Sequence, residues 1–356
     1  MPVILHAADL HLDSPFSGLT PELAQQRRRE QRELLQRMAA LVRERGVQLV
    51  LLSGDILDGP NYYADTADVL CKALAQMAVP VFLAPGNHDP APLYRRLDLP
   101  DNVTVFASES MTSVPLPELN CTVHGRAFTE HTCRVPFDAL DFRAPDDGQT
   151  HILCLHGDVD GQNLRFCPIS RDGLAASGAH YAALGHVHKS GGLQRSGGTV
   201  WAYSGCPEGR GFDETGDKGV FIGPVEQDRI SLEFVPVCRR RYHVVTARLT
   251  ERLLPEQALL AALPDGCGDD VVRVIFTGES RGLDLPALTE LVGRYCFGAS
   301  ILDHTTVPHD LLARAAEDSL AGYFLRALQE QKDDPAAALA LRFAAAALEN
   351  GEDPRL

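Results

Sequence analysis

The chain has 356 residues, of which 45% are hydrophobic, and its 33 basic and 48 acidic residues give a formal net charge of −15. This length accommodates about two domains with a normal core. No apolar run reaches the roughly 18 residues of a membrane-spanning helix, and the first residues enter a strand rather than a signal peptide. The sequence therefore predicts a cytoplasmic protein without a membrane partner. The acidic balance also opposes nonspecific attraction to nucleic acid, because such affinity depends on neutralising phosphates.

The first hundred residues alternate between apolar runs and helical segments. We predict strands over residues 3–5, 49–52 and 81–84, and helices over residues 20–45 and 64–77. Thr20 is a suitable N-cap, Pro21 suits the first helical position, and Gly46 ends the first helix. Two strand-helix-strand units in succession predict a parallel sheet.

Residues 102–232 contain short apolar runs separated by turns with glycine and proline. Such spacing favours antiparallel pairing. Together with the first part of the chain, it predicts two packed sheets flanked by helices, which is a four-layer α/β/β/α sandwich.

The pattern changes at about residues 236–241. We predict a strand over 243–249, a helix over 255–263, a strand over 271–276 and a helix over 285–295, followed by terminal helices over 308–331 and 335–350. The predicted domains are therefore 1–237, 238–303 (a small α/β unit) and 304–356 (a helical segment).

Polar side chains that bind metals follow five of the apolar runs directly. Open α/β sheets bind ligands at the carboxyl ends of their strands, so these side chains should share one site. In chain order the motifs are Asp9-Leu-His11, Gly54-Asp55, Gly86-Asn87-His88-Asp89, His156-Gly157 and Gly185-His186-Val-His188. A single such motif is weak, since a lone histidine at a strand end is more often structural. Five in order behind five strands predict a functional site.

Carboxylate, amide and imidazole ligands without thiolate suit manganese, iron or zinc in an open site rather than a closed structural zinc site. Seven of these side chains are the candidate ligands, and seven are too many for one ion. They belong to Asp9, His11, Asp55, Asn87, His156, His186 and His188. If Asp55 bridges two ions, each has four protein ligands and keeps positions for water and phosphate, as in two-metal phosphoester hydrolysis. We therefore expect two divalent cations, most readily manganese, with iron or zinc as alternatives.

The five motifs resemble those of the calcineurin-like metallophosphoesterase superfamily. The resemblance implies that Asp9, His11, Asp55 and His188 bind the first metal, and that Asp55, Asn87, His156 and His186 bind the second. His88 would remain unbound and act as a general acid or as a hydrogen-bond donor to phosphate. Asp89 follows it directly and would fix the tautomer of its ring.

Three further stretches are similar to SbcD-type DNA-repair exonucleases, and most of all to their YhaO-like branch. They are residues 6–15, residues 182–188 and residues 203–219, which include Tyr203-Ser-Gly-Cys-Pro-Glu-Gly-Arg210. The similarity is specific over about residues 1–240, and it implies that residues 238–303 form a capping domain. In this family a second histidine usually follows the bridging aspartate by three residues, but this chain has Asp58 there.

Ser204 and Arg210 could face the metals or the substrate phosphate. Alternatively, the glycines of their loop only permit a turn, and Arg210 pairs with Glu208 or Glu214 at the surface, where ion pairs contribute little.

Three functions are left open. The first is a manganese-dependent DNA exonuclease or endonuclease subunit, for which the resemblance implies DNA and a coiled-coil, SMC-like ATPase as partners. The second is a phosphodiesterase or phosphatase acting on small nucleotides or phosphoproteins, which Asp58 and the acidic balance favour. The third, a noncatalytic scaffold, is disfavoured because all ligands are present. Whether the terminal helices pack on their own domain or hold a partner is open, as is a homodimer.

Overall fold

The computed structural model describes residues 2–138, 142–161, 163–250, 252–331 and 334–350. It divides into two compact units, Met1–Arg241 and Tyr242–Leu356. None of the described helices is long and apolar enough to cross a membrane.

The first unit alternates strands and helices in the order expected for its first hundred residues. Its strands are β1 (Val3–Ala7), β2 (Leu49–Leu52), β3 (Val81–Leu83), β4 (Val103–Val105), β5 (Thr112–Leu116), β6 (Cys121–Gly125), β7 (Thr150–His156), β8 (Asp158–Val159), β9 (Pro168–Ile169), β10 (Tyr181–Gly185), β11 (Gln194–Ser196), β12 (Thr199–Tyr203), β13 (Gly219–Pro224) and β14 (Glu233–Pro236). Its helices are α1 (Pro21–Glu44), α2 (Ala64–Met77), α3 (Ala91–Tyr94) and α4 (Arg171–Ala176). The predicted bounds of α1 and α2 are confirmed to within a residue.

One sheet has the order β14-β13-β1-β2-β3-β4, and the other has the order β11-β12-β10-β7-β6-β5. Helices α1 and α2 cover the outer face of the first sheet, with Leu34 and Leu70 in that core. Ile4 and Phe82 of the first sheet pack against Ile152 of the second. The outer face of the second sheet packs on α4 and on neighbouring loops. The predicted four-layer sandwich is thus confirmed.

The expectation of antiparallel pairing over residues 102–232 is wrong for the middle of the second sheet. Strand β10 is parallel to both β7 and β12, and β6 is parallel to β7, whereas the edge strands β5 and β11 pair antiparallel. The connection from β7 to β10 contains α4 and is a crossover rather than a hairpin. The unbroken apolar runs at 152–155 and 181–184 are typical of parallel strands covered on both faces.

The second unit contains a parallel sheet of β15 (Tyr242–Arg248), β16 (Val271–Thr277) and β17 (Gly298–Asp303). Helices α5 (Pro255–Ala262) and α6 (Leu285–Gly293) pack on it through Leu259, Leu288 and Val292. The predicted β-α-β-α order is correct, but strand β17 was not predicted. The proposed separation of residues 304–356 from this unit stays a prediction.

The single helix expected over 308–331 is wrong. The chain forms α7 (His309–Ala313) and α8 (Leu320–Gln329), and α9 (Pro335–Asn350) follows. Glu317 is extended, with ψ at 145°, and the Ser319 side chain accepts the Gly322 N–H at 3.1 Å. Ser319 therefore begins a new helix as its N-cap.

Candidate metal centre

The candidate ligands lie at the carboxyl ends of strands in both sheets. Strands β1, β2 and β3 are mutually parallel neighbours, as are β7 and β10, so the loops after them reach a common edge in each sheet. The residues at these ends are Asp9, Asp55, Asn87, His156 and His186. The sandwich therefore brings the five motifs to one side of the first unit.

Several of these residues hold strained backbone conformations. Asp9, His11, Asp55 and His186 have φ values of 55°, 44°, 52° and 104°. Positive φ is uncommon for residues other than glycine, and such strain persists where the surrounding structure enforces it, which is often at functional sites. Four of the seven predicted ligands share this property.

Two motif glycines permit the close approach of the loops. A Cβ on Gly54, whose φ is +85°, would lie 2.4 Å from Nδ1 of His156. A Cβ on Gly86 would lie 2.2 Å from Oδ1 of Asp55. Any side chain at either position would displace a candidate ligand, so these glycines are required by the site rather than by a turn alone.

The ligand atoms converge around Asp55. The side chains of Asp9, His11 and His188 offer ligand atoms within 4.8 Å of one another, and so do those of Asp9, Asp55 and His156. Oδ2 of Asp55 lies 3.6 Å from Nε2 of His11 and 3.5 Å from Nε2 of His156. One carboxylate oxygen is thus placed between histidines that were assigned to different metals.

The spacing of these atoms fits bound divalent cations. Nε2 of His11 is 3.2 Å from Nε2 of His188, and Nε2 of His156 is 3.1 Å from Oδ1 of Asn87. Two donors held about 2.1 Å from one ion, at angles between a right angle and a tetrahedral one, are about 3.0–3.4 Å apart. The donors are nitrogen and oxygen without thiolate, which suits manganese, iron or zinc.

Each of three histidine rings is fixed through its other nitrogen. Metal-binding histidines commonly donate that second N–H to a carboxylate or a carbonyl. Here the Nδ1 contacts are His11 with Asp58 Oδ1 at 2.9 Å, His188 with Glu214 Oε1 at 2.7 Å, and His156 with the Ser53 carbonyl at 2.8 Å. In all three, Nε2 is left to face the cluster.

Burial strongly disfavours charge in this pocket. It raises the pKa of Asp55 to about 6, and burial together with the Asp55 charge raises the pKa of Asp9 well above its usual value. Burial also lowers the pKa of His156 to about 3, and burial followed by the Arg210 charge lowers the pKa of His11. These groups are suited to bind cations. A neutral imidazole can be a metal ligand, and a bound cation would stabilise the ionised form of the nearby carboxylates.

His88 lies at the rim of the cluster and is exposed. Its backbone N–H donates to Asp55 Oδ1 at 2.9 Å, and its Nδ1 is 3.0 Å from the Asp58 carbonyl oxygen. Its ring centroid is 4.7 Å from that of His11. His11, Asp58 and His88 also offer ligand atoms within 4.8 Å of one another. The catalytic role of His88 stays a prediction.

The expected contact between Asp89 and the His88 ring is wrong. Asp89 is fully buried, and its oxygens accept the backbone N–H groups of Asp55, Ile56, Leu57 and Gly86 and the hydroxyl of Tyr94. A carboxylate that accepts several backbone donors organises the loops that carry them. Asp89 therefore positions the Asp55 loop against the Gly86 loop.

Two other predicted residues contact the cluster less directly. The backbone N–H of His186 donates to Asp9 at 3.0 Å, while its ring packs 5.3 Å from that of His156, between centroids. The hydroxyl of Ser204 donates to the Gly205 carbonyl at 3.1 Å. Among the described residues, the side chain of His186 does not belong to the groups of converging ligand atoms. The metal role of His186 and the substrate role of Ser204 stay predictions.

Arg210 reaches the cluster from the loop after β12. It is within 3.2 Å of Asp58 and 2.9 Å of Glu214, and its side chain is only 19% exposed. The pairing with Glu214 was among the expected alternatives, but it lies inside the pocket rather than at the surface. The contacts of Asp58 and Glu214 with the histidines could not be predicted from the sequence, because residues so distant along the chain show no local pattern.

Comparison with known proteins agrees with this site. The model of the calcineurin-like phosphoesterase family matches residues 2–190, which is more than half of the chain. The uncharacterized metallophosphoesterase YhaO of Bacillus subtilis is 32% identical over 243 residues, covering 65% of this chain and 59% of that protein. The DNA double-strand break repair protein Mre11 of Aeropyrum pernix is 29% identical over 216 residues, covering 53% of this chain and 49% of that protein.

The SbcD component of the SbcCD nuclease of Rhodobacter capsulatus is 31% identical over 105 residues, covering 28% of this chain and 24% of that protein. The alignments therefore reach no more than about three fifths of the length of these relatives. The relatives confirm the resemblance to the SbcD-type branch. By its match over residues 2–190 and by the motifs that this match contains, the chain belongs to the calcineurin-like phosphoesterase family.

Proposed function

We propose that this protein is a manganese-dependent, two-metal phosphodiester hydrolase that acts on DNA as an exonuclease or endonuclease subunit of the SbcD type. The observation that carries the proposal is the position of Asp55 Oδ2, 3.6 Å from His11 and 3.5 Å from His156. A single carboxylate between two sets of nitrogen and oxygen donors is the arrangement that a bridged pair of cations needs.

Asp9, His11, Asp55 and His188 would hold the first cation, and Asp55, Asn87, His156 and His186 the second. When bound, such cations polarise a phosphoryl oxygen and generate a nucleophile from water near neutral pH. The chain itself supplies rigid ligands, since the loops are fixed by Asp89 and the rings by their Nδ1 contacts. Rigidity of this kind limits reorganisation during the reaction.

His88 is the candidate general acid. Its Nδ1 donates to the Asp58 carbonyl, so Nε2 carries a proton only when the ring is an imidazolium. In that form, Nε2 can donate to a phosphate oxygen or protonate the leaving oxygen. The exposed position of the ring at the rim is where an incoming phosphodiester would meet it.

The choice of DNA rests on the relatives, of which Mre11 is described as a protein of double-strand break repair and SbcCD as a nuclease. We extend the proposal to a coiled-coil, SMC-like ATPase partner and to cytoplasmic residence, and a homodimer is compatible with it. The second candidate, a phosphodiesterase or phosphatase for small nucleotides or phosphoproteins, is favoured by the net charge of −15, which weakens attraction to a polyanion.

The test begins with bis-p-nitrophenyl phosphate in the presence of manganese or EDTA. Manganese-dependent hydrolysis is expected in the wild type. It should fall in Asp55→Asn by more than the 10–100-fold that loss of a group supporting a ligand typically costs. Asp101→Asn, an exposed aspartate outside the cluster, is the matched control and should keep full activity.

End-labelled DNA and small cyclic or linear dinucleotides then separate the two candidates. Cleavage of DNA at a kcat/KM at least equal to that for dinucleotides supports the nuclease. Efficient dinucleotide or phosphoprotein hydrolysis with intact DNA would replace it with the second candidate, and the absence of any manganese-dependent hydrolysis would refute both.

A further inference from the structure

Two histidines of the candidate first metal site, His11 and His188, are held at Nδ1 by carboxylates that one arginine connects. Asp58 Oδ1 accepts Nδ1–H of His11 at 2.9 Å, and Glu214 Oε1 accepts Nδ1–H of His188 at 2.7 Å. The guanidinium of Arg210 joins these carboxylates, with Nη1 3.2 Å from Asp58 Oδ1 and Nη2 2.9 Å from Glu214 Oε1. We call Asp58, Arg210 and Glu214 the carboxylate bridge.

The carboxylate bridge is tied to the backbone at both ends. Glu214 Oε2 accepts the backbone N–H of Arg210 at 2.7 Å. At the other end, Ser14 lies 3.4 Å from Nη1 of Arg210, and its hydroxyl donates to the carbonyl of His11 at 2.9 Å. The guanidinium therefore has a fixed place with respect to both histidines, and does not extend freely toward solvent.

The members of the carboxylate bridge are largely shielded from water. The side chains of Asp58, Arg210 and Glu214 are 24%, 19% and 5% exposed. Although burial acts to raise it, hydrogen bonds from His188 and Arg210 hold the pKa of Glu214 well below its usual value. Such pairs are weakly screened, so removing the cation leaves two carboxylates without compensation next to Asp9 and Asp55.

The support is asymmetric between the two candidate metals. His156, assigned to the second metal, uses the backbone carbonyl of Ser53 instead of a side chain. His11 and His188, both assigned to the first metal, depend on the carboxylate bridge.

From these contacts, and resting on the proposed two-metal function, we infer that Arg210 is a positioning residue. Nη2 of Arg210 also lies 2.9 Å from Nδ1 of His188. Arg210 therefore holds His11 through Asp58, and it holds His188 both through Glu214 and by direct contact. It thereby sets the affinity of the first metal site alone. This inference replaces the expectation that Arg210 contacts the substrate phosphate, since both terminal nitrogens of its guanidinium are already directed at carboxylates. It also assigns a role to Asp58, which stands where the resemblance to SbcD-type nucleases leads us to expect a histidine. Asp58 is the acceptor that links His11 to Arg210.

The test is a titration of the metal-free protein with Mn²⁺. Binding is measured by calorimetry and by the electron paramagnetic resonance signal of free Mn²⁺. The wild type should bind two ions per chain. In Arg210→Met, one of the two sites should weaken by about 10–100-fold, the usual cost of losing a group that supports a ligand, while the other keeps its affinity. Arg210→Lys, which restores a cation without the planar fork, should recover part of the loss.

Three further variants distinguish this inference from a general folding defect. Glu214→Gln and Asp58→Asn preserve the size of their side chains and should weaken the same single site. Arg195→Met changes an exposed arginine and should leave both sites unchanged. At saturating manganese, KM for bis-p-nitrophenyl phosphate should stay within about twofold in Arg210→Met, because the inference gives Arg210 no contact with phosphate.

Two outcomes would overturn the inference. Both metal affinities could stay unchanged while KM rises, which would make Arg210 a phosphate contact, or both sites could weaken together in every variant, which would make the carboxylate bridge a general element of the fold. If the wild type itself fails to bind two ions, the proposed function fails instead, so the two failures are distinguishable.

Discussion

Replacing Asp89 by asparagine tests whether this residue organises the ligand loops. Oδ1 of Asp89 accepts the N–H groups of Asp55 at 3.1 Å and Gly86 at 2.9 Å, and Oδ2 accepts those of Ile56 at 2.5 Å and Leu57 at 3.0 Å. An asparagine keeps one acceptor oxygen and turns a donating NH₂ toward the other pair. Whichever way the amide is oriented, two buried backbone donors lose their acceptor.

An unsatisfied buried donor costs about 1–3 kcal/mol, so Asp89→Asn should lower the free energy of unfolding by about 2–6 kcal/mol. The Asp55 loop should loosen as well, because its backbone is held through these bonds. We therefore expect weaker binding at both candidate metal sites, since Asp55 is the ligand they share.

Urea unfolding of the metal-free protein measures the first effect, and Mn²⁺ titration measures the second. Asp101→Asn is the control, and as an exposed substitution it should change stability by no more than about 0.5 kcal/mol. Unchanged stability and unchanged metal binding, combined with lost turnover, would refute this reasoning.

Three further predictions concern His88, Gly86 and His6. His88→Ala should keep two bound manganese ions and lose turnover by about 10²–10⁴-fold, whereas loss of one ion in a titration would make His88 a ligand. Gly86→Ala should abolish manganese-dependent hydrolysis, because its Cβ would lie 2.2 Å from Asp55 Oδ1; Gly198→Ala, where nothing lies within 4 Å, should be silent. Burial lowers the pKa of His6 to about 3 from a usual value of 6.5. Below about pH 6.5 the unfolded chain therefore takes up a proton that the folded chain refuses, which costs up to about 1.4 kcal/mol of stability per pH unit. His6→Gln should remove only this contribution, because other buried histidines such as His156 add slopes of their own. In urea unfolding, the free energy of unfolding of the wild type minus that of His6→Gln should therefore fall as the pH is lowered from 7 to 4.5. A difference between the two proteins that stays constant over that range would contradict the prediction.

The placement of the candidate ligands could be predicted from the sequence because it depends on local patterns. An apolar run followed by Gly54-Asp55 or by Gly86-Asn87-His88 predicts both a strand and the candidate ligands at its carboxyl end. Helix α1 could also be predicted, because Thr20 followed by Pro21 is typical of a helix N-terminus. In the structure the Thr20 side chain accepts the Leu23 N–H at 3.4 Å as the N-cap.

The direction of the second sheet could not be read in the same way. Glycine and proline mark turns, but they do not say whether the next strand returns beside the previous one or crosses over first. The short α4, whose N-cap is Ser170, makes the connection from β7 to β10 a crossover. Its length gave too weak a periodic signal to be recognised.

The roles of Asp89, Asp58 and Arg210 depend on contacts between distant parts of the chain. Asp89 is next to His88 in sequence, yet its oxygens face the loop after β2. Asp58 and Arg210 are separated by 152 positions and meet only because the two sheets face each other. No sequence motif predicts contacts between residues so far apart. The residues that hold the histidine rings can therefore be identified only in the folded molecule.

The most direct test of the central claim is anomalous X-ray diffraction at the manganese edge from crystals grown with excess Mn²⁺. We predict two peaks about 3.5–4 Å apart, on either side of the Asp55 carboxylate, as in two-metal hydrolases. A single peak, or peaks that do not share Asp55 as a ligand, would contradict the two-metal centre.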